Sequence, residues 1–214
     1  MSFSADSARI SAMPGMRGLL PFVPFAVLAA ANPLNPPAAY MAAAACCFYL
    51  LLPFETFGPG NHTAVFAWNR VNWRWAPILG LAIMLLGWIA QFTFIKAIGF
   101  SPAPQPLLRE FAAMRGWRMA LVFFTITVPV PLIEEWVFRH YLFGGLAKRI
   151  GWRMAAVATS LVFAAMHWYW PVIPGLFVMA LAWQLVYLRS GSLGYAAVLH
   201  SCNNAMTLIL LIIS

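Results

Sequence analysis

The sequence predicts an all-α, polytopic membrane protein of about seven transmembrane helices, and three observations carry that prediction. Hydrophobic residues make up 63% of the 214 and charged residues only 8%, whereas a soluble domain carries about 25% charged residues. Mean hydropathy is +0.81. The apolar residues fall in runs of about the length that crosses a bilayer, separated by clusters of Pro, Asn, Gly and Arg. This composition leaves no room for a soluble domain beside the spans. The net charge of +8 would point to nucleic acid in a soluble protein. Here it fits arginines placed in loops to orient the spans, so the expected partner is the lipid bilayer and no nucleic acid. The three cysteines, Cys46, Cys47 and Cys202, form no CxxC pair and read as small packing residues.

Taken in order, residues 1–17 are a polar arm with Arg9 and Arg17. Ala29-Ala30-Ala31 ends the first apolar run without standing out as a cleavage site, so Leu19 to Ala31 reads as a first span in preference to a signal peptide. The Asn/Pro cluster at 32–37 turns the chain, and Ala38 to Pro53 is the second span. The loop from Glu55 to Trp75 mixes Trp68, Trp73 and Trp75 with Arg70 and Arg74, as a segment at headgroup level does. His62, beside Gly60 and Asn61 in that loop, is expected to be solvated. Pro77 to Phe100 is the third span, its proline in the first turn where a missing N–H costs nothing. Pro102, Pro104 and Pro106 keep the next segment extended. Leu107, Leu108, Phe111 and Met114 set against Arg109, Glu110, Arg115 and Arg118 then predict a short amphipathic helix near 105–116, lying on the surface.

Met119 to Lys148 is the fourth span, too long for one straight crossing, with Pro129 and Pro131 in its middle. The fifth, sixth and seventh spans are expected at Met154 to Trp170, Pro171 to Leu188 and Leu193 to Ile213. No internal repeat divides the chain, which reads as a single membrane domain over 1–214. Placing the N-terminal arm, the 54–75 loop, the 148–153 loop and Arg189 on the cytoplasmic side satisfies the positive-inside rule. The arginines of 101–118 then fall on the opposite side, on the helix lying along the bilayer.

Chemistry concentrates at Glu134-Glu135-Trp136-Val137-Phe138-Arg139, which holds two of only five acidic residues. An ionisable residue at the centre of a membrane helix costs roughly 2.5–3.5 kcal/mol, so two adjacent carboxyls need a reason. Glu135 and Arg139 are four apart with the acid first, the favourable order for a helical pair. Glu134 lies about 100° round the axis. One acid is thus spaced to be neutralised while the other points elsewhere; the alternative is a pair of interfacial charges at a helix end.

Few other polar groups lie within spans. His200 and Asn204 are four apart on one face of the seventh, and His167 is near the end of the fifth. Counted from the positive loops, Glu134, His167, His200 and Asn204 all lie roughly 16–23 Å from one membrane face, at about 1.5 Å per residue. Four polar side chains from three helices at one depth predict a single intramembrane site. Singly, each has a plainer explanation. His167 could be an interfacial histidine among Trp168, Tyr169 and Trp170, and Asn204 or its neighbour Asn203 could bond between helices. His140 is on another face and reads as structural.

The three motifs, Glu134-Glu135…Arg139, Phe163…His167 and His200…Asn204, resemble the CPBP family, also called the Abi or type II CAAX protease family. They stand in that family's order, with a plain span between the second and third, and the resemblance covers about 118–214. It implies a glutamate-dependent intramembrane endopeptidase acting on a membrane-associated peptide or protein. It implies that Glu134 activates the attacking water, that His167 helps bind and polarise it, and that His200 and Asn204 form an oxyanion hole. Glu135 and Arg139 would support the site, with no cofactor and no metal. Larger members carry an eighth span, which this chain is expected to lack. The family's eukaryotic members act on prenylated CAAX tails. An unprenylated membrane peptide and a bacterial inner membrane are expected here. The competing expectations are a zinc-dependent membrane protease using Glu134, His167 and His200, a non-catalytic membrane peptide-binding or immunity protein, and a transporter, for which no inverted repeat speaks.

Overall fold

The computed structural model describes residues 66–213 apart from 104 and 168. The first two expected spans, Cys46, Cys47 and His62 lie outside the described residues. Among those residues every regular element is helical. The elements are α1 (Ala76–Ala97), α2 (Pro106–Ala113), α3 (Gly116–Thr127), α4 (Pro129–Glu135), α5 (Phe143–Ile150), α6 (Trp152–Ala165), α7 (Ile173–Ser190) and α8 (Leu193–Ile213). A π-helical stretch, Trp136–Leu142, joins α4 to α5, and single 3-10 turns occupy Trp68–Arg70 and Trp170–Val172. Four stretches are long and apolar enough to cross a membrane: Ala76–Ala97, Gly116–Ile150, Trp170–Ser190 and Leu193–Ile213; α6 is a shorter apolar helix. The architecture is that of an all-α, multi-pass membrane protein. Five of the seven expected spans fall among the described residues, and four of these have full crossing length.

The stretch from Gly116 to Ile150 has 35 residues, or roughly 50 Å of helix against about 30 Å of hydrocarbon. It is not straight. Val128 leaves helical geometry at φ −119° and ψ −75°, immediately before Pro129, which has no N–H to continue the ladder. The π-helical turns after Glu135 are a second irregularity, one that no residue spacing foretold; such wide turns are frequent at functional sites.

Around this broken helix, α1, α6, α7 and α8 supply one core. Ile83, Phe163, Met179, Trp183 and Leu199 pack together with Phe138 of the π-helical stretch. α1 and α7 cross closely at two glycines, where a Cβ on Gly175 would meet the Gly87 carbonyl oxygen at 2.7 Å; small residues permit such approach between membrane helices. The amphipathic helix is present as α2. It does not simply lie on the bilayer, because Phe111 is fully buried against Val122 of α3 and Leu208 of α8. Exposed side chains along α1, among them Ile78, Leu85, Ile89 and Phe92, are apolar, which suits hydrocarbon and not water.

α6 is shorter than the fifth span expected. It stops at Ala165, and His167 lies in the turn that follows. Tyr169 and Trp170, counted into the span, instead build the connection to α7. The Tyr169 hydroxyl donates to the Ala103 carbonyl, and Trp170 packs on Phe100 and Phe94 at ring separations of 4.6 and 6.2 Å. At the opposite end, Ser192 Oγ donates to the Phe66 and Ala67 carbonyls at 2.6 and 3.1 Å. Arg70 Nη1 lies 3.4 Å from the Gly191 carbonyl, a favourable place for a cation at a helix C-terminus. Gly191, at φ +64°, ends α7 in the left-handed conformation that glycine adopts without cost. Leu146 and Ala147 of α5 share a cluster with Leu188 of α7. The 148–153 turn and the 189–192 turn therefore sit at one end of the bundle, with Lys148, Arg149, Arg153 and Arg189.

Candidate functional site

The polar centre is built on the last turn of α4. Glu135 is fully buried, at 0% exposure, and its Oε2 lies 3.0 Å from Nε of Arg139, itself 1% exposed. The i,i+4 spacing read from the sequence closes even though Arg139 belongs to the π-helical stretch. Taking each charge from water costs several kcal/mol, which only good pairing offsets. Arg139 has further support. Its Nη2 donates to the Ala180 carbonyl of α7 at 3.3 Å, and its guanidinium lies 4.7 Å from the Phe163 ring centroid and 5.7 Å from that of Trp183. Desolvated cation–π contacts of this kind are worth about 2 kcal/mol.

His200 of α8 enters between the two carboxylates. Its Nδ1 is 2.9 Å from Glu135 Oε1, and its Nε2 is 3.6 Å from Glu134 Oε2. The first is a hydrogen bond; the second exceeds hydrogen-bonding range. A carboxylate only accepts, so Nδ1–H donates to Glu135, and Nε2 is the nitrogen turned to Glu134. This revises the expectation that Glu134 points elsewhere: it turns from Arg139 but faces the same imidazole as Glu135. The environments still differ, because Glu134 is 18% exposed and Glu135 sealed. Two aromatic rings enclose His200. Trp183 stacks on it at 4.2 Å and 15°, and Phe163 meets it edge-on at 5.7 Å and 79°.

His167 follows from how α6 ends. Its backbone N–H bonds the Ala164 carbonyl, so the Phe163 carbonyl lacks its usual intrahelical donor. The His167 ring takes that place, with Nδ1 3.0 Å from the Phe163 oxygen. A carbonyl only accepts, so Nδ1–H donates and Nε2 is left for another partner. The ring lies 5.0 Å from that of Phe163.

Asn204 stands one turn beyond His200 on α8. Its Nδ2 donates to the Ile126 carbonyl at 3.0 Å, beside the break at Val128 between α3 and α4. One amide hydrogen is used there and a second remains. Asn203, read as interhelical glue, instead donates to Asn204 Oδ1 at 3.3 Å. His140 Nδ1 lies 3.4 Å from the Tyr187 hydroxyl, away from the centre. Thus Glu134, Glu135, Arg139 and His200 form one contiguous cluster. His167 joins it through Phe163, and Asn204 flanks it on the α3–α4 side. Sequence spacing did not reveal Trp183, the Ala180 carbonyl or the π-helical turns, since each matters through a contact between distant segments.

Among the described residues, no three His, Cys, Asp or Glu side chains converge as a metal-binding group. Nδ1 of His200 is committed to Glu135 and Nδ1 of His167 to a backbone oxygen, which leaves Nε2 as the nitrogen each ring can offer to another partner.

Residues 116–206, which include all three motifs, match the family model described as type II CAAX prenyl endopeptidase Rce1-like. The chain is 29% identical over 98 residues to a protein of Staphylococcus aureus (strain USA300) named membrane-embedded CAAX protease MroQ, covering 43% of this chain and 40% of that one. The chain thus spans about two fifths of the length of the curated relative it matches. No solved structure matches it.

Proposed function

We propose, for a chain whose 116–206 segment is similar to the type II CAAX prenyl endopeptidase Rce1-like family, that it is a glutamate-dependent intramembrane endopeptidase of the CPBP family. Its substrate is a membrane-associated peptide or protein. The carrying observation is one buried imidazole wedged between a sealed carboxylate and a partly open one.

In this reading Glu134 takes a proton from water as the water oxygen attacks the scissile carbonyl carbon. A carboxylate held within hydrogen-bond reach of the attacking water is suited to general-base work. His167 accepts a hydrogen bond from the same water through Nε2. The carbonyl π electrons move to oxygen, where the spare N–H of Asn204 supplies a donor; fixed donors are strongest where water is scarce. Nε2 of neutral His200 carries no hydrogen while Nδ1–H serves Glu135. It becomes a donor to the oxyanion on receiving the proton that Glu134, 3.6 Å away, has taken. That proton then goes to the departing amine. Glu135 and Arg139 hold the ring and touch no substrate. The protein resides in a bacterial cell membrane, with the Lys148–Arg153 and Arg189 end inside.

The test is cleavage of a membrane-tethered reporter by wild type and Glu134→Gln, each with and without a strong chelator. The expected result is activity in the wild type that chelator leaves intact, and none in Glu134→Gln. Loss on chelation with recovery on added metal would support the zinc reading. Full activity of Glu134→Gln would exclude Glu134 as the base, and absence of cleavage by any form would favour a binding protein.

A further inference from the structure

The bond to Cβ at Cγ and the hydrogen bond at Nδ1 hold one edge of the His200 ring, but a ring held along one edge can still rock about it. A second contact on the ring face is needed to set the plane. Trp183 of α7 supplies it: the indole is 1% exposed, lies 4.2 Å from the imidazole centroid and is tilted only 15° from it. The same indole lies 5.7 Å from the Arg139 guanidinium. One turn earlier on α7, the Ala180 carbonyl accepts from Arg139. Glu135 accepts a hydrogen bond from His200 and is ion-paired with Arg139, and Trp183 packs on both of these partners. Phe163, edge-on to His200 at 79° and 6.1 Å from the Trp183 ring, closes the remaining side. Trp183 lies in none of the three motifs; it stands on the helix between the second and the third.

We propose that Trp183 is a positioning residue: its indole, stacked on His200, sets the plane of the imidazole and so keeps Nε2 directed at Glu134. This role rests on the glutamate-dependent reading above for its effect on turnover, and on geometry alone for its effect on the ring. A leucine would fill part of the space and remain apolar but would offer no flat face. A phenylalanine would keep the face with a smaller ring.

The experiment compares full-length wild type, Trp183→Phe and Trp183→Leu, with histidines labelled by nitrogen-15 and the His200 signals assigned by their loss in His200→Gln. In the wild type the stack shifts the His200 ring protons upfield, and the nitrogen pair shows one tautomer, hydrogen on Nδ1. Trp183→Phe is expected to keep that tautomer with a smaller upfield shift, and to restore most of the cleavage rate. Trp183→Leu is expected to lose the upfield shift and mix the tautomers. It should lower kcat about tenfold to a hundredfold with KM within about twofold, as misplacement of a reacting group does. Wild-type His200 signals in folded Trp183→Leu would overturn the proposal. So would a kcat loss that merely follows the folded fraction. Should Trp183→Leu fail to accumulate, Trp183→Phe decides, because unmoved His200 proton shifts there would mean that the stack does not exist. The spectroscopic arm needs no cleavage, so full activity of Glu134→Gln would remove the proposed chemistry while leaving the role of Trp183 to be judged on the ring.

Discussion

Glu134 and Glu135 are neighbours in the chain, yet the two halves of the polar centre they belong to are built on opposite principles. The Glu135 half is closed. Its carboxylate is sealed, one oxygen paired with Arg139 and the other accepting from His200, and aromatic rings cover the cation. The Glu134 half is partly open. Its carboxylate has 18% exposure and, among the described residues, no partner closer than the 3.6 Å to His200, with His167 and Asn204 at its margins, each half-buried and each anchored to a backbone carbonyl. The difference teaches that an adjacent pair of acids in a membrane helix need not be a duplicated function. One half spends its polar groups on each other and gains rigidity. The other keeps hydrogen-bonding capacity free for water and substrate.

The largest effect is expected in the closed half. Arg139→Ala leaves Glu135 buried without its counter-charge, and breaking such a pair costs about 3–5 kcal/mol. Thermal melting in detergent and the yield of folded protein should both fall. Normal accumulation and melting of Arg139→Ala would show that the closed half is not structural. In the open half the effect is on rate. Asn204→Ala should lower reporter turnover by about 10²–10³, the usual loss for one oxyanion donor, with a stability loss of only about 1 kcal/mol for its bond to Ile126. A variant that melts far lower while turning over normally would move Asn204 into the closed half. The smallest effect belongs to neither. Ser192→Ala removes the hydroxyl that ties Phe66 and Ala67 to the start of α8, costing about 1 kcal/mol and leaving turnover per folded molecule unchanged. A large loss of turnover there would mean that the site responds to any loosening of the bundle.

Much of this arrangement was legible in the sequence because it is local. The seventh span reads at Leu193 to Ile213, where α8 lies, because a long apolar run follows directly on the turn at 189–192. The Glu135–Arg139 pair followed from helical spacing, and the amphipathic helix from its alternation of charge and leucine. What was not legible depends on contacts between distant segments. Helical spacing separates Glu134 from Glu135 but cannot show that an imidazole 65 residues later fits between them. Hydropathy counted Trp168 to Trp170 into the fifth span, although α6 ends before them. Nothing in the apolar composition of α7 distinguishes Trp183, which stacks on His200, from the exposed tryptophans at 73 and 75.

The comparison between the two acids is tested most directly by substituting them one at a time and measuring both melting and cleavage. Glutamine keeps the shape of glutamate and its hydrogen bonding but cannot take up a proton. Glu134→Gln is therefore expected to abolish cleavage while melting and peptide binding stay at wild-type values. Glu135→Gln is expected to lower melting, because Arg139 loses its charge partner, and to reduce cleavage less than Glu134→Gln does. Full cleavage by Glu134→Gln, or an equal loss of stability in both variants, would contradict the division of the site into a closed supporting half and an open working half.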